Sequence, residues 1–188
     1  MISNRRDQTP KTAPPRESSV PLVVLIGASG SGKTSIARAI EDRFAASVDV
    51  FFFDRIGVPP LEQMIAGYGS GEGWQRAKTV EWMAKLAQVI KTGRKVLFEG
   101  QIRLAFLAEG AAAAGALDYR PILVDCNDET RLRRLTTDRR QPELANKEMM
   151  NWARFLRREA KDNGCDVLDT SLLSLDEAVS YVMARLGD

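Results

Sequence analysis

The chain has 188 residues, 44% of them hydrophobic and 28% charged, with a formal net charge of +2. That size and balance fit one globular domain, and the near-neutral charge weighs against nucleic acid as a dedicated partner, which a strongly basic face would mark. No histidine occurs, which removes a Ser-His-Asp triad and most zinc sites and leaves acid–base work to carboxylates, lysine or water.

Residues 1–19 are polar, proline-bearing and mixed in charge, and read as a disordered tail ahead of a domain at 20–188. This tail lacks the apolar core of a secretory signal, and no apolar run has the length of a membrane span. Cys126 and Cys165 form no CxxC pair and fit a reducing cytoplasm.

From Val20 the pattern changes. VPLVVLIG is a β-branched run that ends in glycine, as a buried strand does. KTSIARAIEDRFAA then has helical spacing, with Ile36, Ala37, Ile40 and Phe44 on one side. VDVFFFD predicts a second strand ending in Asp54, and RIGVPP a loop. LEQMIAGYGSGEG starts helical and dissolves into a glycine-rich connection; WQRAKTVEWMAKLAQVIKTG is an amphipathic helix with Gly93 as its stop. KVLFEG is a third strand, and IRLAFLAEGAAAAG an alanine-rich helix whose run at 111–114 predicts a tightly packed end.

RPILVDC is a fourth strand. DETRLRRL opens a helix with an acidic first turn, and NKEMMNWARFLRREAKDNG is helical with a glycine stop. CDVLDT is a fifth short strand, and SLDEAVSYVMARLG a closing helix. Strand alternating with helix predicts an α/β fold, a parallel five-stranded sheet between helical layers. Ligands then sit beyond the carboxyl ends of the strands. The loops after Ile26, Phe53, Phe98, Asp125 and Leu168 are expected on one rim.

Gly27-Ala28-Ser29-Gly30-Ser31-Gly32-Lys33-Thr34 satisfies G-x-x-x-x-G-K-[ST] in full, with a strand before it and a helix after. A polyphosphate must be wrapped by backbone N–H groups, and small residues let the chain curl around it. The following helix turns its N-terminus to the anion. Lys33 would reach the outer phosphates, and Thr34, with Ser35 behind it, would supply a hydroxyl to Mg²⁺. A carboxylate at the end of a neighbouring strand, Glu99, is well placed for the same metal; its alternatives are a helix cap or a salt bridge.

These residues resemble the Walker A loop of P-loop NTPases, and the single small domain resembles the nucleoside and nucleotide kinase-like branch, with adenylate, shikimate and gluconate kinases. That resemblance implies ATP and Mg²⁺ as cofactors, a short lid, and phosphoryl transfer to a small-molecule acceptor. VLFEGQIR is similar to the Asp-Gly-Phe-Pro-Arg segment of adenylate kinases: Glu99 takes the acidic position, Gly100 matches, and Arg103 falls where that family keeps an arginine on the transferred group. Gln101 and Ile102 depart from the pattern. Asp54 resembles the acceptor-facing Asp of shikimate- and gluconate-type kinases; alternatively it caps the next turn.

RLRRLTTDRRQPELAN supplies Arg131, Arg133, Arg134, Arg139 and Arg140 where such kinases carry an arginine-bearing lid, and Arg131 and Arg134 share one helical face. Arg134 and Arg139 are the candidates for neutralising a transition state; a solvated basic face is the alternative for the rest. The LDTS loop would line adenine through its backbone. The three tryptophans have core-like spacing, although Trp74 follows the glycine-rich stretch and is a candidate to close on a substrate. A rival outlet for the same loop is a nucleotide-dependent switch or weak ATPase working through a protein partner.

Overall fold

A computed structural model describes residues 20–186. The expected tail at 1–19 lies outside them. Seven helices and five strands alternate: β1 (Leu22–Ile26), α1 (Lys33–Phe44), β2 (Val48–Phe52), α2 (Leu61–Tyr68), α3 (Gly71–Ile90), β3 (Lys95–Gly100), α4 (Leu104–Ala113), β4 (Arg120–Asp125), α5 (Asp128–Arg133), α6 (Lys147–Asp162), β5 (Asp166–Asp169) and α7 (Leu175–Leu186). The sheet is wholly parallel in the order β2-β3-β1-β4-β5.

β1 shows why the sheet needs cover on both faces. Its five residues are all fully buried. Strand side chains alternate between faces. Leu22, Val24 and Ile26 pack with Trp82, Met83 and Leu86 of α3, Leu107 of α4 and Leu156 of α6. Val23 and Leu25 pack with Ile36 and Ile40 of α1 and Val179 and Val182 of α7. The result is the three-layer α/β/α fold that the alternation predicts.

Four expectations change. The glycine-rich connection is only two residues long. α3 begins at Gly71, because Ser70 Oγ accepts from the Gly73 N–H at 2.9 Å and caps the helix. The second strand stops at Phe52, and Asp54 sits in a 3₁₀ turn, Phe53–Ile56, closed by Gly57 N–H on the Asp54 carbonyl. Of the alanine run only Ala111 is buried, while Ala112 and Ala113 face solvent, so that helix end is loosely covered. Trp74 is a core residue, 5% exposed and edge-on to Phe53 at 5.7 Å.

Register sets the rim. Leu25 lies beside Glu99, Phe52 beside Glu99, Ile26 beside both Gly100 and Leu123, and Asp125 beside Asp169. The turns after β1, β2, β3, β4 and β5 therefore emerge on one edge, with the loop after the central strand in the middle. No helix among the described residues is long and apolar enough to cross a membrane.

Candidate active site at the carboxyl edge

The loop from Gly27 to Gly32 has three positive φ angles: 150° at Gly27, 78° at Gly30 and 101° at Gly32. At Gly27 even a methyl group is excluded, since a Cβ would lie 2.2 Å from the Val124 carbonyl oxygen. The chain must pass that close to β4 to turn into α1. Ala28, Ser29, Ser31 and Lys33 are all buried, whereas Thr34 is half-buried and Ser35 is exposed.

Arginines hold the outside of this loop. Arg131 of α5 is fully buried, and its guanidinium donates to the Ser29 carbonyl at 2.6 Å and to the Asp125 carboxylate. Arg134 opens a five-residue π-helical turn, Arg134–Asp138, and donates to the Gly30 and Ser31 carbonyls and to both oxygens of Thr170. Arg157 of α6 takes the other side of Asp125 and donates to the Cys126 carbonyl at 2.7 Å. The i,i+3 spacing of Arg131 and Arg134 thus aims both guanidinium groups at successive carbonyls of the loop.

Thr170 completes the grip. Its hydroxyl donates to the Ser31 carbonyl at 2.7 Å, and the Asp125 carbonyl lies 3.0 Å away. The loop after β5 therefore matters through a side chain as well as its backbone, which its sequence did not signal. Gln101 was equally hidden. Its amide donates to Ser29 Oγ at 3.0 Å, and its carbonyl accepts from Gln75 of α3 at 2.7 Å. The position where this chain departs from the adenylate kinase pattern is the one that ties the phosphate loop to the neighbouring turn.

Inside the loop, Lys33 Nζ lies 3.4 Å from the Ala28 carbonyl, and Thr34 Oγ1 donates to Glu99 at 3.2 Å. Burial pulls the Lys33 ammonium below its ordinary value; Glu99 pushes it back up, Arg131 and Arg139 push it down, and Asp54 pushes it up. Burial raises the Glu99 carboxyl, against the opposing pull of Lys33 and the Thr34 hydroxyl, with Asp54 adding to the rise and Arg139 opposing it. Lys33, Glu99, Asp54 and Arg139 therefore feel one another's charge, with Thr34 hydrogen-bonded to Glu99 among them.

The fold does not bring Arg103 into that group. Its Nη1 donates to Glu72 at 2.6 Å, and its guanidinium lies over Trp152, Phe155 and Phe106, with centroids 5.2 to 5.7 Å away. Arg103 belongs to a separate hollow between α3 and α6. Arg134, with its donors on loop carbonyls, has a positioning contact in place of a free charge. Asp54 is exposed, with Arg55 turned away onto Phe52 and Glu41.

A cavity of about 530 Å³ opens from Gly30–Ile36 between the lid turn and α7. Leu173, Leu175 and Ala178 form an apolar wall, and Arg134 and Arg139 face it. A phosphate-wrapping loop that runs into such a cavity is the anatomy of a nucleotide site. Ser31 Oγ, fully buried and without a partner among the described residues, is an orphan polar group of the kind a bound anion satisfies. The hydroxyl of Thr34 and the carboxylate of Glu99 are hard oxygen donors suited to Mg²⁺ beside phosphate oxygens.

Loop, sheet order and cavity together define a P-loop NTPase fold of the small-kinase type. No protein-family model matches the chain. It is 29% identical over 178 residues to a nucleotide-binding protein of Renibacterium salmoninarum, covering 93% of this chain and 52% of that protein. The chain spans about half the length of the curated relatives it matches. Among solved structures, a sugar kinase from Janibacter sp. superposes with a TM-score of 0.61 at 18% identity, covering 90% of this chain and 95% of that one. The shikimate kinase of Acinetobacter baumannii, solved with shikimate, does so at 0.57 and 13%, covering 87% and 90%.

Proposed function

We propose that this protein is an ATP- and Mg²⁺-dependent phosphotransferase acting on a small hydroxyl-bearing acceptor. The reading is supported by Lys33, Thr34 and Arg139 on the wall of the cavity, by the Thr34–Glu99 hydrogen bond, and by the charge of Asp54 acting on both Lys33 and Glu99. An NTP-binding loop needs Lys33 and the metal pair; a kinase also needs a carboxylate facing an acceptor and a mobile cation for the charge that spreads on the transferred group.

The loop amides and Lys33 would bind the β- and γ-phosphates, with Thr34 and Glu99 holding Mg²⁺. The metal would neutralise phosphate charge during transfer. Asp54 orients the acceptor hydroxyl and takes its proton late in the step. Arg139 lies on an exposed stretch next to Arg140, whose φ is 53°. That lid brings a guanidinium to the equatorial oxygens when it closes over the donor.

The test combines binding and turnover. Lys33→Ala abolishes the upward melting shift given by Mg·ATP; an unchanged shift would remove the site. A metabolite-library screen following ADP release then identifies the acceptor, and Asp54→Ala abolishes that release. Turnover unaffected by Asp54→Ala would take that carboxylate out of the mechanism.

A second reading, a nucleotide-dependent switch or weak ATPase acting through a protein partner, draws support from relatives named only as nucleotide-binding proteins and about twice as long. ATP turnover that rises with a protein fraction and with no small molecule would favour it.

A further inference from the structure

On the far side of the Gln101 turn from the phosphate loop lies a second hollow of about 400 Å³. It is lined by Glu72 and Gln75 of α3, Gln101, Arg103, and Glu148 and Trp152 of α6. Gln101 is common to both sites, because its amide reaches Ser29 Oγ of the loop while its turn forms the hollow's wall.

The polar groups of this hollow are partly engaged. Gln75 Nε2 donates to the Gln101 carbonyl and Gln101 Nε2 to Ser29. Asn146, on the rim, has its amide on the Glu143 carbonyl and its oxygen on the Met149 N–H. The cation, Arg103, is balanced by Glu72 at 2.6 Å and boxed by three rings. What the walls leave over includes the Gln75 amide oxygen and the carboxylates of Glu72 and Glu148 as acceptors, beside the remaining N–H groups of Gln75 and Arg103. Two carboxylates against one guanidinium also give the lining a net negative charge.

We infer that this hollow holds the part of the acceptor remote from the hydroxyl that Asp54 addresses, and that it selects an uncharged or cationic polyhydroxyl compound, a polyol or an amino-bearing one, over carboxylate and phosphate acceptors. The inference rests on the kinase reading for the purpose of the site, and on the hollow alone for its selectivity. A hydroxyl or ammonium group donates to the oxygens that line it. An anion meets the net negative charge of that lining and competes with Glu72 for Arg103. Trp152, half-buried on the wall, gives the non-polar face of a ring or chain a surface to lie on.

Three matched sets test it on the full chain with Mg·ADP present: glucose, glucosamine and gluconate; inositol and quinate; adenosine and its 5′-monophosphate. Tryptophan fluorescence and ligand-observed NMR report binding, and ADP release from ATP is followed separately. In each scaffold that binds, the neutral or amino member is expected to bind at least about tenfold more tightly than the acid, the worth of one charge-assisted contact. Glu72→Gln, on an exposed position in the first turn of α3, frees Arg103 and narrows or reverses that ratio; Glu148→Gln narrows it less.

Preference for the acid in wild type, a ratio unmoved by Glu72→Gln, or no binding by any member overturns the inference. Binding in the expected order without ADP release leaves this selectivity standing and defeats the kinase reading. ADP release on an acid acceptor does the reverse.

Discussion

The phosphate loop is gripped from behind by side chains that solvent barely reaches, whereas the Arg103 side of the same rim is assembled from more exposed groups. Arg131 is 0% exposed and Thr170 5%, and both hold loop carbonyls. Across the Gln101 turn, the Arg103–Glu72 pair has side chains 30% and 56% exposed. Buried polar networks fix one geometry because each unmade bond is costly; exposed pairs re-form at little cost. The loop is thus held in one geometry, whereas the surface across the Gln101 turn can adapt.

The sharpest way to break this contrast is Arg131→Met. It leaves the Asp125 carboxylate with Arg157 alone and frees the Ser29 carbonyl, so a loss of about 3–5 kcal/mol is expected, the cost of breaking a buried ion pair. Denaturant unfolding measures it. A loss under 1 kcal/mol would mean that this network behaves like a surface pair. Thr170→Val keeps the shape and removes the hydroxyl from the Ser31 carbonyl and from Arg134. Here about 1–3 kcal/mol is expected, with weaker ATP binding by calorimetry.

Titration provides an intermediate test. Burial holds the Glu99 carboxyl above its ordinary 4.5, so the folded chain keeps that proton to higher pH than the unfolded chain. The stability this group contributes is complete below about pH 4.5 and is lost as the pH rises through the folded value. Glu99→Gln removes that decline from a plot of unfolding free energy against pH. An unaltered slope would place the carboxyl in open water.

The smallest stability effect is expected on the acceptor side. Asp54→Ala changes unfolding free energy by no more than about 0.5 kcal/mol, as exposed substitutions do, while acceptor-dependent ADP release disappears. A large loss of stability would make Asp54 a structural cap of the 3₁₀ turn.

Much of this molecule was legible in advance. β-branched runs against helical periods placed all five strands and the helices around them, and in the central strand β1 burial on both faces leaves no room for polar alternation. The loop Gly27–Thr34 was equally plain, because wrapping an anion demands glycine at positive φ and leaves few alternatives. The errors fell at ends. Ser70 moved the start of α3 to Gly71 by capping it, and the second strand broke at Phe53 into a tight turn.

The sequence by itself determined the layers, the phosphate loop, and the identity of the lysine, threonine and carboxylate available to it, because each follows from local spacing and backbone chemistry. Only the tertiary structure decided which arginine does what. Arg103, Arg131, Arg134 and Arg139 carry the same charge in the sequence. A guanidinium's role depends on the oxygens around it, and here Glu72 lies 31 positions from Arg103, while Ser29 and Ser31 lie 102 and 103 from Arg131 and Arg134.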